Sequence, residues 1–111
     1  MKNLHKKKCV PCSGDTQSFS FNEAKKYLKE VDRWHVKMND EKNLYLEKKI
    51  NFKNFLESQN FVNKVGIIAE LECHHPDINF GWGYVKIVIY THSIKGLTES
   101  DFVLAAKIDQ I

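Results

Sequence analysis

The chain of 111 residues lacks several features that would assign it to a class of protein. It has no run of the roughly 20 apolar residues that a membrane span needs. Its charged start is not followed by the apolar segment of a secretory signal, so we expect a soluble protein without membrane contacts. Its three cysteines, Cys9, Cys12 and Cys73, are too few and too uneven in number for a disulfide scaffold. A reducing, cytoplasmic location is therefore expected.

Arginine is almost absent, since Arg33 is the only one among 17 lysines and arginines, and the net charge is a mild +3. Bidentate recognition of phosphate or guanine depends on guanidinium groups, so direct nucleic-acid binding is not expected. His5, Cys9 and Cys12 would offer three zinc ligands, but a structural zinc site normally has four and no fourth ligand lies nearby.

The chain has enough apolar residues for a single hydrophobic core, since 42% of its residues are hydrophobic and 12% are aromatic. Residues 1–18 show no apolar period, and we predict a flexible leader that contributes neither to the fold nor to a site. Residues 19–111 are predicted to form a single domain.

Capping and periodicity indicate where the helices lie. Ser20 and Glu23 form a capping box that begins a first helix, which we expect to run to about Val31. Residues 52–73 contain no proline and carry apolar residues at helical spacing, which predicts the main core helix. Thr98 and Asp101 resemble a second capping box, ahead of a last helix.

Alternation of apolar and polar residues indicates where the strands lie. A hairpin is predicted from residues 34–38 and 44–50, and a half-buried strand from 84–91, with one extra short strand near 79–82. The expected fold is α+β: an antiparallel four-stranded sheet with helices packed on one face, in the order α-β-β-α-β-α apart from the extra strand.

The main helix carries a second apolar stripe, formed by Ile67 and Leu71, on the side away from its core face. A domain this small cannot easily cover a helix on two sides, so the stripe predicts an oligomer contact.

The densest group of reactive side chains is Cys73-His74-His75-Pro76, with His92 at the end of the 84–91 strand. Imidazoles titrate near neutral pH and can donate or accept protons in catalysis. Pro76 ends the helix, which places the histidine pair in a loop at a helix C-terminus. From these residues alone an ordinary exposed loop stays open as an alternative.

A longer pattern contains this group. An acidic residue stands four positions before His-His-Pro. An aromatic residue follows the proline by six positions, a histidine follows the aromatic residue by ten, and an aspartate follows that histidine by nine. The positions are Glu70, His74-His75-Pro76, Trp82, His92 and Asp101. With this pattern the chain resembles the pterin-4a-carbinolamine dehydratase family over nearly its whole length. The leader, with Cys9 and Cys12, also looks like that of many microbial members.

The resemblance implies a hydro-lyase that dehydrates 4a-hydroxytetrahydrobiopterin to quinonoid dihydrobiopterin and water, in tetrahydrobiopterin recycling. It implies a pterin pocket formed by the loop after the main helix, the region of the strand histidine and the motif aromatic: Cys73, His74, His75, Pro76, Trp82, Tyr90, Thr91, His92 and Ser93. Cys73 and Ser93 stand where vertebrate members have Asp and Glu, which removes two carboxylates from the pocket rim.

The reaction needs an acid and a base, so the absence of a glycine-rich dinucleotide loop and of a full metal-ligand set agrees with an enzyme that uses no cofactor. We predict His74 and His92 as the proton-transfer pair, with His75 orienting the ring. Glu70, one turn before His74, is predicted to orient that residue, or else is a solvated helix carboxylate. Asp101 is predicted to be a structural cap rather than a reactant.

The resemblance also carries an alternative. Vertebrate members act as a dimerisation cofactor for a homeodomain transcription factor, so a non-catalytic binding module with such a partner, present in the nucleus as well, is the second interpretation. Three histidines favour catalysis, because an adaptor does not need them. Family members form dimers that pair into tetramers, so a homodimer or homotetramer is expected.

Overall fold

The computed structural model describes residues 3–10 and 16–111 of the chain. A short 3₁₀ turn, Leu4–Lys6, precedes three helices and four strands: α1 (Phe21–Leu28), β1 (His35–Met38), β2 (Leu44–Asn51), α2 (Phe55–Glu72), β3 (Asp77–Gly81), β4 (Tyr84–Ile89) and α3 (Glu99–Ile108). The predicted α+β class and the extra strand are confirmed. None of these helices has the length and apolar content of a transmembrane segment.

The four strands form one antiparallel sheet in the order β1-β2-β4-β3. In β4 every second residue points to the core, and Val85, Ile87 and Ile89 are fully buried. On β2, Leu46 is buried beside Ile89, its partner in the register. The apolar residues that alternate with a period of two in the sequence therefore form the inward face of the sheet.

The helices begin where side chains bind the free N–H groups of the first turn. In α1 the Ser20 hydroxyl accepts from the N–H of Glu23 at 3.2 Å, as predicted, and the helix ends earlier than expected, at Leu28. In α2 the cap is Asn54, whose Oδ1 accepts from Glu57 N–H at 2.9 Å. Phe52 stays outside that helix because its own N–H donates to the carbonyl of Gly83 at 2.8 Å.

Helix α3 forms the centre of the core, with eight of its residues buried, including Phe102 and Leu104. It packs against α1, α2 and the 3₁₀ turn, while α2 lies across β3 and β4. The core side of α2 carries buried Val65 and Ala69, and the opposite stripe, Ile67 and Leu71, is exposed, as the sequence predicted.

Residues 3–10, hereafter the N-terminal segment, differ from the expectation of a leader that adds nothing to the core. Leu4 is 1% exposed and belongs to the core cluster. The Nζ of Lys107, on α3, donates to the carbonyl of His5 at 2.9 Å. One apolar residue among lysines shows no period, so a pattern-based prediction does not detect this contact.

Candidate active site

A cavity of about 310 Å³ lies where the C-terminal end of α2, the residues after β4 and the N-terminal segment meet. The described residues that line it are Cys9, Val10, Glu72, Cys73, His74, Thr91, His92 and Ser93. Five of these eight belong to the pocket predicted from the sequence. The cavity is near the lower end of the size range of small-molecule sites.

His74 is held at this cavity by a carboxylate from α3. Its Nε2 lies 2.6 Å from Oδ1 of Asp101, whose side chain is completely buried. The other carboxylate oxygen, Oδ2, accepts from the hydroxyl of Thr91 and the N–H of Thr98, each at 2.8 Å. Asp101 therefore both caps α3, as predicted, and fixes the imidazole of His74.

This contact determines which atom of His74 is left for chemistry. An ionised carboxylate only accepts hydrogen bonds, so the Nε2 that faces Asp101 carries a proton. Nδ1 is then the ring atom that can exchange a proton with another group.

Glu70 does not orient His74, which corrects that prediction. Its Oε1 lies 2.5 Å from Nε2 of His75 instead. The helix ends at Glu72, and the next residue, Cys73, takes a left-handed conformation with φ 52°. Helical spacing does not continue past that residue, so the one-turn relation between Glu70 and His74 is lost and the chain directs His74 towards α3.

The remaining predicted residues lie outside the lining of this cavity. His75 and Glu70 form an exposed pair, with side chains 59% and 79% accessible, and His75 is outside the lining given above. Tyr90 packs against His92, with ring centroids 4.3 Å apart, and lines a broader depression of about 580 Å³ that also includes His92. Trp82 lies in the turn between β3 and β4 and is 72% exposed. This turn precedes β4, whereas the cavity takes the residues that follow β4, so the prediction that Trp82 lines the same pocket is wrong.

Among residues 3–10 and 16–111, no three His, Cys, Asp or Glu side chains converge in the way that a bound metal ion would require. Cys12, one of the three zinc ligands considered from the sequence, lies outside the described residues.

The fold and the histidine cavity lead to a comparison with known proteins. The sequence model of the family described as Pterin 4 alpha carbinolamine dehydratase matches residues 17–111. The chain belongs to this family. The resemblance noted in the sequence is confirmed, and the predicted enzyme class, a hydro-lyase, is the one that the family name states.

Relatives that bear the name of pterin-4-alpha-carbinolamine dehydratase cover the whole chain. One from Alkaliphilus metalliredigens is 48% identical over 111 residues, covering 99% of this chain and 96% of that protein. One from Rubrobacter xylanophilus is 45% identical over 111 residues, covering 100% of both.

The fold is similar to that of several solved structures. A transcriptional coactivator/pterin dehydratase from Brucella melitensis has a TM-score of 0.74 and 26% identity, over 85% of this chain and 97% of that chain. A pterin dehydratase-like protein, identified as a RuBisCO assembly factor in the alpha-carboxysome, has a TM-score of 0.60 and 25% identity, over 71% and 88%.

Three lining residues were not predicted to be part of the dehydratase pocket: Cys9, Val10 and Glu72. The first two lie before residue 17, where the family match begins. Glu72 joins them to α2, because its Oε1 accepts from the N–H of Cys9 at 2.8 Å while Oε2 lies 3.6 Å from Nζ of Lys107. Spacing within the leader gives no signal for the bond between Cys9 and Glu72, since it connects residues 63 positions apart.

The thiol of Cys9 is not a nucleophile in this environment. Burial and the nearby charge of Glu72 raise its pKa to about 12, so it stays protonated at neutral pH. Its Sγ lies 3.4 Å from the carbonyl of Ser100, a contact in which the S–H donates. Cys9 is therefore a neutral wall of the cavity.

Proposed function

We propose that this protein dehydrates 4a-hydroxytetrahydrobiopterin to quinonoid dihydrobiopterin and water, by proton transfer through His74 and His92. The observation that carries the proposal is that both imidazoles line one cavity, with that of His74 fixed by a buried carboxylate. Membership of the dehydratase family supports the reaction class. The physiological role that goes with it is tetrahydrobiopterin recycling.

The reaction transfers two protons and no electrons. The C4a–O bond breaks as the hydroxyl takes a proton and leaves as water. The nitrogen next to C4a loses its proton, and a C=N bond forms between C4a and this nitrogen. One acid and one base are needed, and each positioned group is worth about 10²–10⁴-fold in rate.

The surroundings of the two histidines suggest their roles. Asp101 occupies Nε2 of His74 and leaves Nδ1 as its free ring nitrogen, so His74 is the base, and its Nδ1 takes the proton from the pterin nitrogen. His92, an exposed residue that lines the same cavity, then donates a proton to the leaving hydroxyl. The placement of His75, paired with Glu70 at the surface, gives no support to a ring-orienting role.

The test is an assay of the purified full chain with freshly generated 4a-hydroxytetrahydrobiopterin, followed by absorbance. We expect loss of the carbinolamine well above its spontaneous rate in the same buffer. Equal rates with and without protein would contradict the proposal.

A second candidate function is a binding module, because one similar structure is called a transcriptional coactivator as well as a pterin dehydratase. The exposed stripe of α2 offers a surface for it: Ile67 and Leu71 are 63% and 77% exposed, beside an open depression of about 570 Å³. We propose that this stripe is covered by a second copy of the chain, in a homodimer or homotetramer. A transcription-factor partner and a nuclear location belong to the second candidate only, and the cytoplasm stays the predicted location of the enzyme.

A further inference from the structure

We infer that the end of the N-terminal segment, Cys9 and Val10, is a functional wall of the pterin cavity, and that Val10 contacts the bound substrate. This inference rests on the proposed function and adds a specificity-determining element to it. The segment lies before residue 17, so it is outside the part of the chain that matches the family domain. The cavity nevertheless takes Cys9 and Val10 from it.

The segment is fixed to the domain at both ends. At its start Leu4 is buried in the core, and the carbonyl of His5 accepts from Lys107. At its end the backbone of Val10 is held by one hydroxyl, that of Ser100. That hydroxyl accepts from the Val10 N–H at 2.9 Å and donates to the Val10 carbonyl at 3.1 Å. These contacts give the end of the segment a defined position at the cavity.

Glu72 connects the same segment to α2 at the cavity itself. It accepts from Cys9 N–H and pairs with Lys107, and its side chain is only 12% exposed. The carboxylate that lines the cavity is therefore also the one that holds the segment. A substrate in the cavity would meet the segment and the catalytic loop as one surface.

Val10 is the residue of this surface whose side chain is available to a bound ligand. It is apolar and 66% exposed, although both its backbone groups are fixed by Ser100. An apolar side chain that is held in place at the wall of a small cavity is suited to cover the face of a flat bicyclic ring. Burial of its two methyl groups against a ligand would tighten binding without touching the reacting atoms.

Three variants separate this role from general stability. Val10→Ala removes the methyl groups and keeps the backbone bonds, and Ser100→Ala removes the bonds and keeps the methyl groups. Lys7→Ala is the matched control, because it removes an exposed ion pair of the same segment with Glu99, 3.3 Å long. Melting curves of all three show whether each variant is folded.

We expect Val10→Ala and Ser100→Ala to raise KM about three- to tenfold, with kcat within twofold of the wild type, and Lys7→Ala to change neither. A merely structural role would lower the amount of active protein and leave KM unchanged. Wild-type KM in both Val10→Ala and Ser100→Ala would overturn the inference.

Calorimetric titration with 7,8-dihydrobiopterin distinguishes failure of the inference from failure of the proposed function. We expect weaker binding to Val10→Ala than to the wild type and to Lys7→Ala. Equal affinity in all three would contradict a role for the segment and leave the dehydratase assignment standing. A wild-type chain that neither binds this pterin nor turns over the carbinolamine would overturn both.

Discussion

Replacement of Asp101 tests the link between the core and the catalytic histidine. The completely buried carboxylate accepts three hydrogen bonds, from His74, Thr91 and Thr98. Asp101→Ala leaves all three donors without their acceptor. Each unsatisfied buried donor costs about 1–3 kcal/mol, and partial entry of water reduces the sum, so we expect a loss of about 3–5 kcal/mol. Because a domain of this size is stable by only about 5–15 kcal/mol, this variant is near the limit of folding.

Asp101→Asn separates catalysis from stability. Its amide oxygen can still accept from Thr98 N–H, so we expect a smaller loss of about 1–2 kcal/mol. Its NH₂ group faces His74 as a donor, which makes Nε2 an acceptor and moves the ring proton to Nδ1. With Nδ1 protonated, His74 can no longer act as the base, and kcat should fall by about 10²-fold or more.

The assays are urea unfolding for stability and carbinolamine turnover for kcat. Asp77→Asn, at an exposed position of β3, is the matched control and should change neither quantity. A wild-type kcat in folded Asp101→Asn would refute the argument about the proton on His74. A stability of Asp101→Ala within 1 kcal/mol of the wild type would refute the energetic estimate.

Three other predictions concern the rest of the molecule. Leu4→Ala should lower the free energy of unfolding by about 2–5 kcal/mol in urea, because it empties a core position; an unchanged midpoint would show that the segment is not docked. The pKa of Glu47 lies below its ordinary value of 4.5 because Lys37 donates to its carboxylate, so this group stabilises the fold above pH 4.5 and its contribution is lost as the pH falls. Glu47→Gln should therefore lose less stability than the wild type when the pH is lowered from about 5. An equal decrease in melting temperature for the two proteins would contradict this. Ile67→Lys together with Leu71→Lys should shift the protein to smaller species in light scattering, and an unchanged mass would exclude this stripe as the interface.

The sequence predicts the elements of this fold well because their signals are local. The box at Ser20 and Glu23 satisfies N–H groups within four residues, and its geometry is as expected. The alternation in β4 fixes its buried face without reference to the rest of the chain. Helix ends are predicted less well: Phe52 has apolar character like that of the helix but is bound to the sheet.

The site is predicted only in part, because its contacts are not local. The motif identifies His74 and His92, and both line the cavity. The partner of His74 is Asp101, 27 positions away, and helical spacing pointed to Glu70 instead. The left-handed conformation of Cys73, just after α2, turns the chain so that His74 meets Asp101 and not Glu70. A left-handed residue after a helix is usually glycine, and a cysteine at that position does not indicate this conformation.

The N-terminal segment shows the same limit more strongly. Its contacts with α3 span about 90 positions or more, as in the bonds of Val10 with Ser100. Composition predicted a leader without structure, because one buried leucine among lysines does not form a period. A segment that docks through one fully buried apolar residue, an ion pair and hydrogen bonds of its backbone with distant side chains leaves almost no trace in sequence patterns.

The most direct test of the central claim is the turnover of His74→Ala and His92→Ala with 4a-hydroxytetrahydrobiopterin, beside His35→Ala as a control at an exposed position of β1. The account predicts that each of the first two loses at least tenfold in kcat while remaining folded, and that His35→Ala keeps the wild-type rate. Wild-type kcat in both His74→Ala and His92→Ala would show that this cavity is not where the carbinolamine is dehydrated.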